Sequence, residues 1–163
     1  MKKSKKNLRI TTLDRDSRGL VTLTANPIWR AFSKKPVSQE TRISVGLAAR
    51  KALYAMCHGF GEFDHLGELV LAAHTGAVLA EQGCGNDLLA DFQVALGLLA
   101  DCRLRALADS SYTLLEQEIP AINNMISFYE QQVALVTQDD LANAIVEGYR
   151  RSSIPIHGAT PLA

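Results

Sequence analysis

Hydrophobic and polar positions along the chain fall into two regimes. Through residue 37 there is no helical period. "LRITTL" and "GLVTLT" are short β-prone runs joined by the turn-like "DRDSRG", and "NPIWRAF" adds Trp29 and Phe32 before Pro36. Such runs are expected to pair as a hairpin or to lie extended along the body. From Ser38 the spacing becomes helical. Ser38 is a suitable N-cap with Glu40 in the first turn, and the first helix should run to about His58, where "HGFGE" breaks it. A second helix is expected over about 62–82, ending at "GCGN", where Gly83 or Gly85 can take a left-handed conformation. A third is expected over about 87–108 behind Asn86, and a fourth over about 112–136 behind Ser110 or Ser111. Thr137 can cap a fifth, "TQDDLANAIVEGYRR", with Asp139 and Asp140 in its first turn, and the tail "SSIPIHGATPLA" should be irregular.

Three of these helices carry the packing argument. In the fourth, Leu115, Ile119, Ile122, Ile126, Tyr129, Val133 and Val136 recur at alternating steps of four and three. A heptad-like stripe of this kind buries against another helix, in the same bundle or in a second subunit, so these residues are candidates for either the core or a homodimer face. Pro120 interrupts it and should kink the helix or start it afresh after Glu118. The third helix is apolar nearly all round, which predicts a central position. The second is rich in small residues (Gly67, Ala72, Ala73, Gly76, Ala77, Ala80) that let a neighbouring backbone approach closely. The expected fold is all-α: a compact bundle of about five helices over 38–151, preceded by an extended or hairpin-like arm at 1–37 and followed by a tail at 152–163.

Composition changes this picture little. With 163 residues, 47% hydrophobic and 21% charged, the chain fits one ordinary globular domain. Three cysteines without a CxxC pair make no disulfide framework, and no secretory signal or bilayer-length apolar run is visible. The expectation is a soluble cytoplasmic protein without a membrane partner.

Charge changes the picture more. The formal net charge is zero, but residues 1–37 hold ten basic side chains against two acidic ones, a balance of +8. The remainder holds seven against fifteen, a balance of −8. The densest positive run is Lys2, Lys3, Lys5, Lys6 and Arg9. Lysines of this kind neutralise phosphates and release counterions, giving salt-sensitive affinity for DNA or RNA without sequence preference. They can equally be a solvated end, or lie against the acidic body.

Candidate chemistry elsewhere is sparse. Glu62 and His65 have the Glu-x-x-His spacing of di-iron bundles, but such sites need two copies and further carboxylates, so helix capping is the expected role. Cys57, His58, His65 and Cys84 match no zinc spacing. His74, inside an apolar run, reads as an interhelical histidine. No nucleophile elbow, Walker loop or dinucleotide fingerprint is present. The sequence therefore predicts no enzyme, no cofactor and no metal. A helix-turn-helix at "TQDDLANAIVEGYRRSSIPI" is not supported, because Pro155 and Gly158 leave no room for a recognition helix.

The phrases "AARKALYAMCHGFGEFDHLGELVLAAHTGAVLAEQGCG", "LADCRLRAL" and "YEQQVALVTQDDLANAIVEGYRR" resemble short helical proteins of proteobacterial phages, prophages and plasmids, which often carry the label of Fis-type regulators. The likeness spans about residues 43–151, on positions such as Leu79, Ala80, Glu81, Gly83, Gln132 and Arg151. It implies a mobile-element setting and carries over no catalytic residue. Fis-type DNA binding depends on a C-terminal helix-turn-helix, which this chain lacks. Two functions are therefore expected in order: a non-enzymatic binder that contacts nucleic acid through its basic arm, or a protein–protein adaptor or inhibitor that uses the acidic helical surface while the arm docks on its own body.

Overall fold

The computed structural model describes residues 34–152, which form an all-α bundle. Its helices are α1 (Gln39–Cys57), α2 (Phe63–Glu81), α3 (Leu89–Asp109), α4 (Ile119–Leu135) and α5 (Gln138–Ser152), with a 3₁₀ turn at Asn86–Leu88 before α3. The basic residues Lys2, Lys3, Lys5, Lys6 and Arg9 lie outside the described residues.

Local chemistry sets most helix boundaries. Ser38 Oγ accepts the Thr41 amide at 3.1 Å, satisfying one of the free donors at the start of α1. At α2 the His65 ring turns back so that Nδ1 accepts the Glu62 amide at 3.1 Å, so Glu62 and His65 act together as a cap. Thr137 and Asp140 form a reciprocal cap on α5: Thr137 Oγ1 accepts the Asp140 amide and Asp140 Oδ2 accepts the Thr137 amide, both at 3.2 Å. Between α2 and the 3₁₀ turn, Gly83 (φ 102°) and Gly85 (φ 81°) both take left-handed backbone that a side chain would strain.

The fourth helix begins later than its apolar period suggests. Residues 111–118 cross the surface as loop and turn, and α4 starts at Ile119 with Pro120 in its first turn, where a missing amide hydrogen costs nothing. Two features hold the connection. Leu114 N donates to Met56 O at 3.2 Å, and the Glu118 carboxylate accepts Leu115 N at 2.9 Å while Arg105 grips it with two guanidinium nitrogens at 2.9 and 2.7 Å.

The central helix is α2, not α3: it packs against all four other helices and buries ten residues. Small side chains explain why. Gly76 leaves room for the fully buried Phe92 ring, and α5 passes so close that a Cβ on Gly148 would lie 2.9 Å from Thr75 Oγ1. The apolar α3, by contrast, keeps Val94, Leu104 and Leu107 exposed. The core runs through α2 and α4 and is closed at one end by Val37, whose amide reaches Val136 O beside the Pro36–Thr137 bridge.

Candidate functional site

The α4 stripe turns inward. Ile122, Ile126, Tyr129 and Val133 are buried against α1, α2 and α3 of the same chain, Ile119 is half-buried, and Leu115 lies outside the helix and is exposed. Gln132 is buried on the same helix, and its Nε2 donates to Gly76 O at 3.1 Å and Cys84 O at 2.7 Å. This face is occupied by the bundle's own core and is closed to a second subunit.

The reactive side chains are quiet. Cys57, Cys84 and Cys102 are free thiols, and burial pushes each above the usual thiol range, so the nucleophilic thiolate is disfavoured. His74 borders a small cavity of about 160 Å³ with Leu66, Val70, Leu99, Arg103 and Ser152. Burial, with the positive charge of Arg151, lowers its pKa from the ordinary histidine value. Among the described residues no three His, Cys, Asp or Glu side chains gather as metal ligands would, and no helix is long and apolar enough to cross a membrane.

What the bundle offers is surface, and its most distinctive surface lies on α1. Ile43, Leu47 and Tyr54 are 59%, 55% and 62% exposed, and Phe60, just beyond the helix, is 69% exposed. At 100° per residue, Ile43, Leu47, Arg50, Lys51, Tyr54 and His58 share one face. The Tyr54 and His58 rings stack with centroids 4.0 Å apart, and His58 Nδ1 sits 2.8 Å from Tyr54 O. A shallow depression of about 460 Å³ lies beside them, lined by Arg50, Lys51, Tyr54, Ala55, Phe60 and His65.

Arg50 is fixed rather than free. It donates to both Glu130 carboxylate oxygens at 3.1 and 2.8 Å, to Asn123 Oδ1 at 2.7 Å and to Ser127 Oγ at 3.0 Å, all on α4. Gly46 makes room for this clasp, since a Cβ there would meet Glu130 Oε1 at 2.9 Å. The pattern recurs across the body. Arg105 is held by Glu118, and Arg151 bridges Glu81 and Glu147, the latter also taken by Arg150.

A second exposed face, on α3 and the turn before it, is acidic. Asp87, Asp91 and Asp101 stand on the same side as the exposed Val94.

No family model matches this chain, and neither the curated proteins nor the solved structures contain a significant match to it.

Proposed function

We propose that this chain is a non-enzymatic, cytoplasmic binding protein of a mobile element, in which the basic residues of 1–37 contact nucleic acid and the acidic helical body is the scaffold. The observation that carries this reading is how the body spends its positive charge. Arg50, Arg105, Arg150 and Arg151 all pair with carboxylates of the body itself, at 2.6 to 2.8 Å. Guanidinium groups held in this way are poorly placed to meet phosphates. Most of the basic side chains remaining are those of 1–37, including Lys2, Lys3, Lys5, Lys6 and Arg9. Contact through such a segment is electrostatic, follows the backbone of DNA or RNA and reads no base sequence.

The direct test compares the full chain with a variant in which Lys2, Lys3, Lys5, Lys6 and Arg9 are all replaced by Gln. Fluorescence anisotropy on duplex DNA and on RNA at low salt should show at least a roughly tenfold loss of affinity in the variant. Equal affinity, or no binding by either protein, rejects the reading.

The acidic face of α3 favours a second reading, an adaptor or inhibitor of a basic protein. There Asp87, Asp91 and Asp101 surround apolar Val94, the mixture of charge and grease that protein partners use. An Asp91→Lys, Asp101→Lys double variant that captures the same partners as the parent chain would remove it.

A further inference from the structure

Helices α2 and α3 and the C-terminal end of α5 enclose the cavity of about 160 Å³ that His74 borders. Its volume is close to the roughly 150 Å³ that accommodates a benzene ring inside a protein. Much of its wall is apolar: Leu66 and Val70 come from α2, Leu96 and Leu99 from α3, and Leu66 and Leu99 are fully buried. His74, Arg103 and Ser152 supply the polar part, and among the described residues no carboxylate lines it.

The fold sets these polar groups at two ends of the cleft. The connection from Glu81 to Leu89 contains a 3₁₀ turn and two left-handed glycines, so it is too compact to return the chain along α2. It reverses direction instead, and α2 and α3 run antiparallel. Counted from that connection, His74 lies roughly level with Leu96, and Leu66 with Arg103. The two polar levels are about 10 Å apart along the helices. Side chains lean towards the N-terminus of their own helix, so Arg103 and His74 lean towards each other across Val70 and Leu99.

The two ends differ in charge. Arg42 donates to Val37 O, and Arg50, Arg105, Arg150 and Arg151 are held by carboxylates. Arg103 alone among the described arginines has no such partner among the described residues. It is the cation of the body left to meet an anion, and its planar fork suits a carboxylate. At the other end Arg151 is spent on Glu81 and Glu147. His74 makes no hydrogen bond to a described residue. Burial and Arg151 hold its pKa below the ordinary histidine value, so the ring is neutral, with one nitrogen to donate and one to accept. Ser152 Oγ donates to Tyr149 O at 2.9 Å, which leaves its oxygen to accept.

From this arrangement we infer that the cavity is a binding site for a small hydroxylated aromatic carboxylate. Arg103 holds the carboxylate, the leucines and Val70 hold the ring, and His74 with Ser152 takes the hydroxyl at the far end. An amine or amino acid is disfavoured, because no acidic side chain of the wall can pair with its ammonium group. Inorganic phosphate could use Arg103 but gains nothing from the apolar wall.

Isothermal titration calorimetry on the full chain, with 4-hydroxybenzoate as the probe and no nucleic acid present, tests the site apart from the nucleic-acid reading. A dissociation constant on the order of 0.1 to 1 mM is expected for a ligand of about ten non-hydrogen atoms. Arg103→Gln, at an exposed position, should melt like the parent and bind roughly tenfold or more weakly. Benzoate, which lacks the hydroxyl, should bind about fivefold more weakly than the probe, and inorganic phosphate should give no measurable heat. In methyl NMR spectra the probe should shift Val70 and Leu99 and leave Leu47, on α1, in place. Absence of probe binding, equal affinity in Arg103→Gln, benzoate or phosphate binding as tightly as the probe, or shifts at Leu47 without shifts at Val70 would each overturn the proposal.

Discussion

Gly76 shows how narrowly single residues set this packing. Its α-carbon faces the Phe92 ring so closely that an added methyl would overlap ring atoms, and Phe92 has no solvent-exposed surface into which it could retreat. Gly76→Ala is therefore expected to destabilise the fold by about 2 kcal/mol, despite the better helix propensity of alanine. Urea unfolding checks this, and a gain in stability would contradict it. Glu118 is 4% exposed and bound by Arg105 from α3 and by the Leu115 amide. Glu118→Gln should cost about 2 kcal/mol by weakening hydrogen bonds to a charged partner, read by the same titration. His74 sets a pH dependence. Burial, reinforced by Arg151, lowers its pKa in the folded state, so below about 6.5 the unfolded chain binds the proton more readily. Its contribution to stability is complete above that value and is lost as pH falls through the folded pKa. Thermal melts should drop between neutral pH and about pH 5, and His74→Gln should flatten that drop.

Among the elements, α4 shows what the sequence could and could not reveal. Its apolar period is plain, and Ile122, Ile126, Tyr129 and Val133 do line a buried face. The same period reaches back to Leu115, which is exposed and outside the helix, because the Arg105–Glu118 pair and the Leu114–Met56 hydrogen bond fix the preceding segment as a loop. Those contacts join residues distant in sequence and leave no local trace. Since Pro120 occupies the first turn of α4, Pro120→Ala should change stability by less than about 0.5 kcal/mol, and a loss of several kcal/mol would show that the ring is needed elsewhere. The ends of α1, α2 and α5 were legible because their signals are local: Ser38, the Glu62–His65 pair and Thr137 with Asp140 act within three residues of themselves. The α1 face was not legible. That helix carries apolar residues on two opposite sides, and Ala49, Leu53 and Met56 go inward while Ile43, Leu47 and Tyr54 do not. Likewise, the apolar α3 reads as central, yet the centre went to α2, whose small residues permit the closest backbone approach.

For the whole molecule, charge is the organising quantity. The segment 1–37 carries a net charge of +8 and the rest a net −8, while four arginines of the body are matched internally. A molecule divided in this way should have an affinity for polyanions that is governed by salt. The most direct measurement is the dependence of duplex-DNA affinity on salt concentration, taken for the full chain and for the variant with Gln at Lys2, Lys3, Lys5, Lys6 and Arg9. Each lost phosphate contact lowers the steepness of the log–log plot by about 0.9, so the five substitutions should flatten it by about 4.5. Parallel plots for the two proteins would contradict the account, because the positive charge that meets DNA would then lie elsewhere in the chain.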